Sequence, residues 1–479
     1  DGLVNAIGTS AASPVVAIQP VGSTLMDNGT LSVSVTATGT GLTYQWRKNG
    51  VNISGATSST YTVPNATPAN SGNYDVVVSN GAGNVVSSAV VISVAPVQLP
   101  RFNSPWGVAI DNQGNTYISD DGNHTIRKIT PNGVVTTLAG VPGVVGAIDG
   151  VGSNARFNSP RGLAVDSLGN VYVADCLNNA IRRVTPNGEV TTFAGFLGNA
   201  STADGVGASA GFYYPMSLAF DPSGNLLVAD SYNHTIRKVT PAGVVTTLAG
   251  TAGVAGSTDG TGSGALFSYP IGITVDNTGM IFVTDNHNHN VRQITSAGVV
   301  TTLAGAAGVV GNTDGTGSAA RFNYPDDIIA DGAGNLYVAD TSNLLIRKIA
   351  SGGVVTTIAG LGGTSGLDDG FGTYGRFAGP VGLAKDAVGN LFVVDKTNHN
   401  IRRVTPAGIV STVAGIAGSF GYEDGVVYAT GTAAGAGVIT VQPMGTTLIV
   451  GGSLNVSITA TGTGSVSYTH LTLPTILLV

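Results

Sequence analysis

The apolar residues of this chain fall in short runs rich in β-branched side chains, cut every few residues by Gly, Asn, Asp or Pro. Such runs predict many short strands joined by tight turns and argue against long helices. Residues 14–96 give five of these stretches: LSVSVTA, TYQWRKNG, STYTV, NSGNYDVVVSN and VVSSAVVISV. From about residue 101 the pattern becomes periodic. A proline-ending phrase recurs at Pro105, Pro160, Pro215, Pro270, Pro325 and Pro380, each 55 residues after the last. Each unit holds four strand-like runs, seen first as GVAID (Gly107 to Asp111), TYISD (Thr116 to Asp120), TIRKIT (Thr125 to Thr130) and VVTTLAG (Val134 to Gly140). A four-stranded unit cannot bury its faces alone, and six copies are enough to close a ring of blades.

Composition narrows the choice. Gly makes up 71 of 479 residues, about twice the usual share, and only 10% are charged, which excludes a charged, disordered chain. The net charge is −7 with no basic cluster, so no nucleic-acid partner is expected. No apolar run approaches the ~18 residues of a membrane-spanning helix, and Asp1 to Ser13 lack the features of a signal peptide. A single cysteine, Cys176, excludes an internal disulfide framework.

The repeated phrase Asn123-His124, Asn233-His234, Asn288-His289 and Asn398-His399, in register with the proline, a G-N turn, an A-D and an I-R position, resembles the NHL repeat. That resemblance implies a six-bladed β-propeller, from a group that holds binding platforms as well as lyases and lactonases. Residues 14–96 resemble an immunoglobulin-like sandwich. Trp46 stands at the strand C position, Tyr74 forms the tyrosine corner two residues before Val76, and Val35 and Val76 replace the cysteines, which suggests a bacterial module. The fold class expected is therefore all-β, a six-bladed NHL-type β-propeller preceded by an immunoglobulin-like β-sandwich.

A longer repeat sets the expected organisation. Asp1-Gly2 through Gly41 aligns with Asp424-Gly425 through Gly464, with QPVGSTL matching QPMGTTL and TATGTG matching itself. Residues 1–13 read as the end of a preceding propeller or a linker, 14–96 as the sandwich, 97–430 as the propeller and 431–464 as the start of a second sandwich. Residues 465–479 depart from the pattern and read as a non-native tail. Propellers and sandwiches are thus expected to alternate in tandem, in a monomeric protein.

Positions shared by all six units speak of blade construction. Asp120, Asp175, Asp230, Asp285, Asp340 and Asp395 at the end of the second strand pair with an arginine in the third, and six phenylalanines from Phe102 to Phe377 form a packing ring. The histidines of the Asn-His phrase read as turn caps, and the Asp-Gly phrases from Asp149 to Asp424 as turns without a calcium ladder. Ser209 in GASAG lacks the strand-to-helix setting of a nucleophile elbow, and Cys176 has no His-Asp partner in sequence. Positions that vary on one face carry the functional expectation. Trp106, Arg161, Tyr213, Tyr214, Tyr269, Tyr324, Asp326, Asp327 and the non-repeat His287 form the expected ligand site, an aromatic arc flanked by charges. No catalytic residue, metal or cofactor is expected. The reading is a bacterial extracellular or cell-surface binding and adhesion module for a glycan or protein. The alternatives are a lyase or lactonase with a metal in the central channel, for which His287 is the residue to test, and a structural spacer.

Overall fold

The computed structural model describes residues 12–27, 29–95 and 99–426, and the backbone of two short paired strands, Val438–Val441 and Thr459–Thr461. The expected preceding segment and the tail fall almost wholly outside the described residues. The chain forms two compact units, Asp1–Gln98 and Leu99–Val479. Among the described residues there is no α-helix, only three-residue 3₁₀ turns between strands.

In the first unit, Thr43–Lys48 pairs with Gly72–Asn80 so that Trp46 lies opposite Val76. Leu31–Ser34 pairs separately with Thr60–Val63. Alternation along these strands sends Leu31, Val33, Val35, Trp46, Tyr74, Val76 and Val78 into one core. The two polar tips in that core are satisfied: Trp46 Nε1 donates to Ser58 O at 2.9 Å and the Tyr74 hydroxyl to Asn70 O at 2.7 Å.

The second unit is built from six five-stranded antiparallel sheets. Their innermost strands are Val108–Ile110, Pro160–Val165, Pro215–Phe220, Pro270–Val275, Pro325–Ala330 and Pro380–Lys385, here the strands of sheets 1 to 6. Each packs on the next, the sixth packs on the first, and all six line one central channel. The apolar cores lie between neighbouring sheets; the last joins Phe102, Val108 and Ile118 of sheet 1 to Val381, Val394 and Ile401 of sheet 6. This is a β-propeller architecture.

The fifth strand is a departure from the four expected. The Asp-Gly phrase opens a two-residue strand, such as Gly150–Val151, that pairs with the outermost strand of its sheet. In sheet 1 that strand comes from the far end of the unit, Gly425–Val426 on Val134 and Val135, so the sheet is completed only by residues some three hundred positions later.

The same phrase also supplies a carboxylate, which corrects its reading as a simple turn. In sheet 2, Arg182 is fully buried and donates Nη1 to Asp175 Oδ2 at 2.7 Å and to Arg156 O, and Nη2 to Asp149 Oδ1 at 2.5 Å and to Ile148 O. The guanidinium stands 5.3 Å from the Phe157 ring centre. Asp175 is held in turn by the Asn158 main-chain N–H and the Asn178 amide, each at 2.8 Å. Burial pushes the Asp175 carboxyl up to about 6 against the pull of Arg182 and these two donors. The arrangement recurs in every sheet, with Arg127, Arg237, Arg292, Arg347 and Arg402 each on two aspartates.

Removing one partner of a buried pair leaves the other charge stranded. Arg237→Met is therefore expected to cost about 3–5 kcal/mol of unfolding free energy, read by urea unfolding. An exposed change such as Val388→Thr should leave the midpoint in place, because Val388 is 77% exposed.

Candidate functional site

Strand register brings the variable positions to one end of the channel. Pro160 of the first strand lies opposite Asp175 at the end of the second, so the residues flanking each proline sit beside the 3₁₀ turn that follows. The pattern repeats in sheets 3 to 6.

The residue before the proline is held with φ between 47° and 56° at Ser104, Ser159, Tyr214, Tyr269 and Tyr324, a conformation L-residues seldom adopt. Its N–H is donated to the preceding sheet. Ser159 N meets His124 Nδ1 at 3.2 Å, Tyr269 N meets His234 Nδ1 at 3.1 Å and Tyr324 N meets His289 Nδ1 at 3.1 Å. Asn179 Oδ1 accepts from Tyr214 N at 3.0 Å in the same way, and His399 Nδ1 accepts from Ser104 N at 2.9 Å across the closure of sheet 6 on sheet 1. The repeated histidines thus do two jobs: each caps its own turn through its main-chain N–H, and its imidazole clasps the neighbouring sheet. Because two serines share the positive φ, the strain belongs to blade construction, and the tyrosines use a position already shaped for another purpose.

Three of these tyrosines join one aromatic surface. The Tyr214 and Tyr232 ring centres are 4.4 Å apart, Tyr232 and Tyr269 5.0 Å, Tyr269 and His287 4.3 Å, and His287 and Tyr324 5.3 Å. Tyr213 packs on Tyr214 and Tyr232. His287 is exposed and so are Tyr213, Tyr232 and Tyr324. The sequence reading missed Tyr232. It stands at the same offset in its turn as His287, with Gly122, Leu177, Ser342 and Thr397 in the other sheets, and comparison of that one offset would have found it.

The other predicted residues cluster at the channel mouth. The Arg161 guanidinium lies 4.2 Å from the Trp106 ring centre and the Lys396 ammonium 4.0 Å, so one indole carries two cations. Trp106, Met216 and Asp326 line the channel. Asp326 Oδ1 accepts from the Asn286 amide at 2.9 Å. Burial pushes its carboxyl up to about 7, with the Thr341 hydroxyl, Lys396, Arg161 and the Asn286 amide pulling the other way. Asp327 is also pushed to about 7, by burial and by Asp326, while its oxygens accept the Leu383 and Ile328 main-chain N–H groups at 2.8 and 2.9 Å. Asp327 is thereby occupied in joining sheet 5 to sheet 6. Lys396, absent from the sequence reading, has its ammonium pushed down by burial and by Arg161, with Asp121 and Asp326 opposing.

The arrangement offers stacking and charge. Among the described residues no three His, Cys, Asp or Glu side chains come together as a metal set would require. Four of the histidines spend Nδ1 on main-chain N–H groups. Cys176 is fully buried, and its thiol is pushed up to about 12 by that burial, which removes it as a nucleophile.

The fold and this face define a repeat-built β-propeller. Four segments, residues 102–129, 157–183, 212–239 and 267–294, match the NHL repeat model. These segments contain the Phe, inner Asp, Asn and Arg of the buried clamp in sheets 1 to 4, so the chain carries NHL repeats. NHL repeat-containing protein 2 of Homo sapiens is 30% identical over 337 residues, 62% of this chain and 46% of that protein. Teneurin-4 of Homo sapiens is 27% identical over 278 residues, 49% of this chain and 10% of that protein. The chain thus spans less than half the length of the curated relatives it matches. Among solved structures it resembles virginiamycin B lyase from Staphylococcus aureus, at 18% identity and a TM-score of 0.42, over 66% of this chain and 87% of that one.

The clasp makes stability depend on pH. A protonated Nδ1 cannot accept the N–H, and burial lowers the pKa of His124, His234, His289 and His399 below the usual 6.5, with Asp121 partly opposing at His124 and His287 adding to the effect at His234 and His289. The unfolded chain takes up these protons first, so the contribution is complete above pH about 6.5 and is lost as pH falls below it. The buried aspartates pushed up to about 6 or 7 titrate in the same window with the opposite sign, so the histidine contribution is read as a difference between proteins. His399→Asn, which offers Oδ1 as Asn179 does and takes up no proton, should gain melting temperature relative to the unsubstituted chain as pH falls from about 7.5 to about 5.5 in calorimetric scans.

Proposed function

We propose that this chain is a closed six-bladed NHL propeller preceded by an immunoglobulin-like sandwich, and that it is a binding module whose loop face captures a glycan or protein ligand at a bacterial cell surface or outside the cell. The observation that carries the reading is the unbroken surface from Tyr214 through Tyr232, Tyr269 and His287 to Tyr324. Aromatic rings with a polar tip give broad contact at low entropy cost, and such rings dominate binding hot spots. Supporting the closed ring are the core shared by sheets 6 and 1 and the Gly425–Val426 strand. Supporting the sandwich are Trp46 opposite Val76 and the Tyr74 bond back to Asn70.

Binding of the full chain to a broad glycan array, with and without chelator, tests the reading. A chelator-insensitive hit is expected, and Tyr214→Ala with Tyr269→Ala should weaken it at least about tenfold while the melting temperature of the propeller is kept. Binding untouched by the double substitution would sink the assignment to this face. A rival reading, a lyase or lactonase, draws on the channel-lining Asp326, whose carboxyl burial pushes up against the pull of Lys396 and Arg161. It requires that Asp326→Asn abolish turnover of a captured ligand, whereas the binding module should hold its ligand unchanged in time.

A further inference from the structure

The two half-buried cations on Trp106 lack what the six fully buried clamp arginines have. Each clamp arginine gives its Nη groups to two carboxylates and to main-chain carbonyls, as Arg182 does. Arg161 makes no N–H···O bond among the described residues. Its Nη1 points to the Met216 thioether at 3.2 Å and its closest carboxylate oxygen, Asp121 Oδ2, is 4.0 Å away, while its Nε lacks an acceptor just as those of the clamp arginines do. Asp121 itself is engaged by the Ser159 hydroxyl. The Lys396 ammonium has no hydrogen bond and no ion pair within 4.0 Å among the described residues, and it stands 4.0 Å from the Trp106 ring centre. Charged donors withdrawn from water without an acceptor are costly, and a thioether is a poor one.

We propose that the channel mouth binds the carboxylate of an acidic sugar between Arg161 and Lys396, with the sugar ring directed onto the tyrosine surface. The proposal rests on the glycan reading above and names the class of glycan. A guanidinium presents a fork that matches a carboxylate's two oxygens, and the ammonium beside it adds a second charge. Tyr214 stands two residues before Met216, whose thioether meets Arg161 Nη1 at 3.2 Å, so the acid group and the stacking surface are neighbours.

The test is titration calorimetry of the full chain with oligogalacturonate and oligoglucuronate, each beside its carboxyl-reduced form. At least one acid is expected to bind at least about tenfold tighter than its reduced form, as loss of a charge-assisted bond implies. Arg161→Met and Lys396→Met should each erase that preference. If the reduced forms bind as well as the acids, the acid site is overturned and the aromatic glycan surface stands. If no sugar of either kind binds, this site and the glycan reading fall together. An acid preference that survives both substitutions would overturn the assignment to Arg161 and Lys396. The comparison of acid with reduced sugar needs no variant, so it decides even if a substitution unfolds the ring.

Discussion

A guanidinium sealed in protein and gripped by two carboxylates holds each sheet of the propeller in shape. The inner aspartate fixes the turn between the second and third strands through the Asn amide and a main-chain N–H, while the outer one draws the start of the same repeat onto the sheet's outer edge. Arg127 shows what this means for the whole ring. Its second carboxylate is Asp424, 2.8 Å away and at the far end of the unit, so the interaction that shapes one sheet elsewhere closes the circle here. A buried pair of this kind is a poor source of net stability, since desolvation consumes much of the attraction. Its value lies in position: an arginine that finds only one of its two aspartates remains uncompensated, which penalises every other arrangement of the repeats.

The turns that the clamp fixes then present the variable residues on one face. Within one 3₁₀ turn the third residue is always Asn and serves the clamp, and the fourth is usually His and serves the joint to the next sheet. The first two residues vary: Asp121, Cys176, Ser231, Asn286, Thr341 and Lys396 at one offset, where Asp121, Asn286 and Thr341 also bond to the next sheet, and Tyr232 and His287 at the next. Structural duty and the proposed ligand contacts are thus divided residue by residue over four consecutive positions. The aromatic surface covers sheets 3 to 5, and the cations come from sheets 2 and 6 on an indole from sheet 1, so neither feature exists within a single repeat.

Much of this was legible in the sequence because a strict 55-residue period carries its own register. The strands, the Asp-Arg pair, the phenylalanine ring and seven of the nine expected site residues could be placed by offset alone, and the structure sets them at one end of the channel. Asp326 and Asp327 were legible as positions but not as roles: one is bonded to Asn286, and the other ties sheet 5 to sheet 6. The Asp-Gly phrases and the histidines were legible only as local turn devices, which for the histidines is half of what they do. Their partners lie on another strand or another sheet, and a turn residue looks the same in sequence whether its side chain folds back or reaches across.

What the sequence alone determined is whatever repeats: strand pattern, period and the buried residues that every sheet needs, since local propensity and alternation act within a few residues. What only tertiary structure decided is whatever requires different repeats to meet. Trp106, Arg161 and Lys396 are up to 290 positions apart, and their contact depends on sheet 6 returning to sheet 1. That return is a property of ring curvature and of the Arg127–Asp424 closure, set by the packing of six sheets together and by no single one of them.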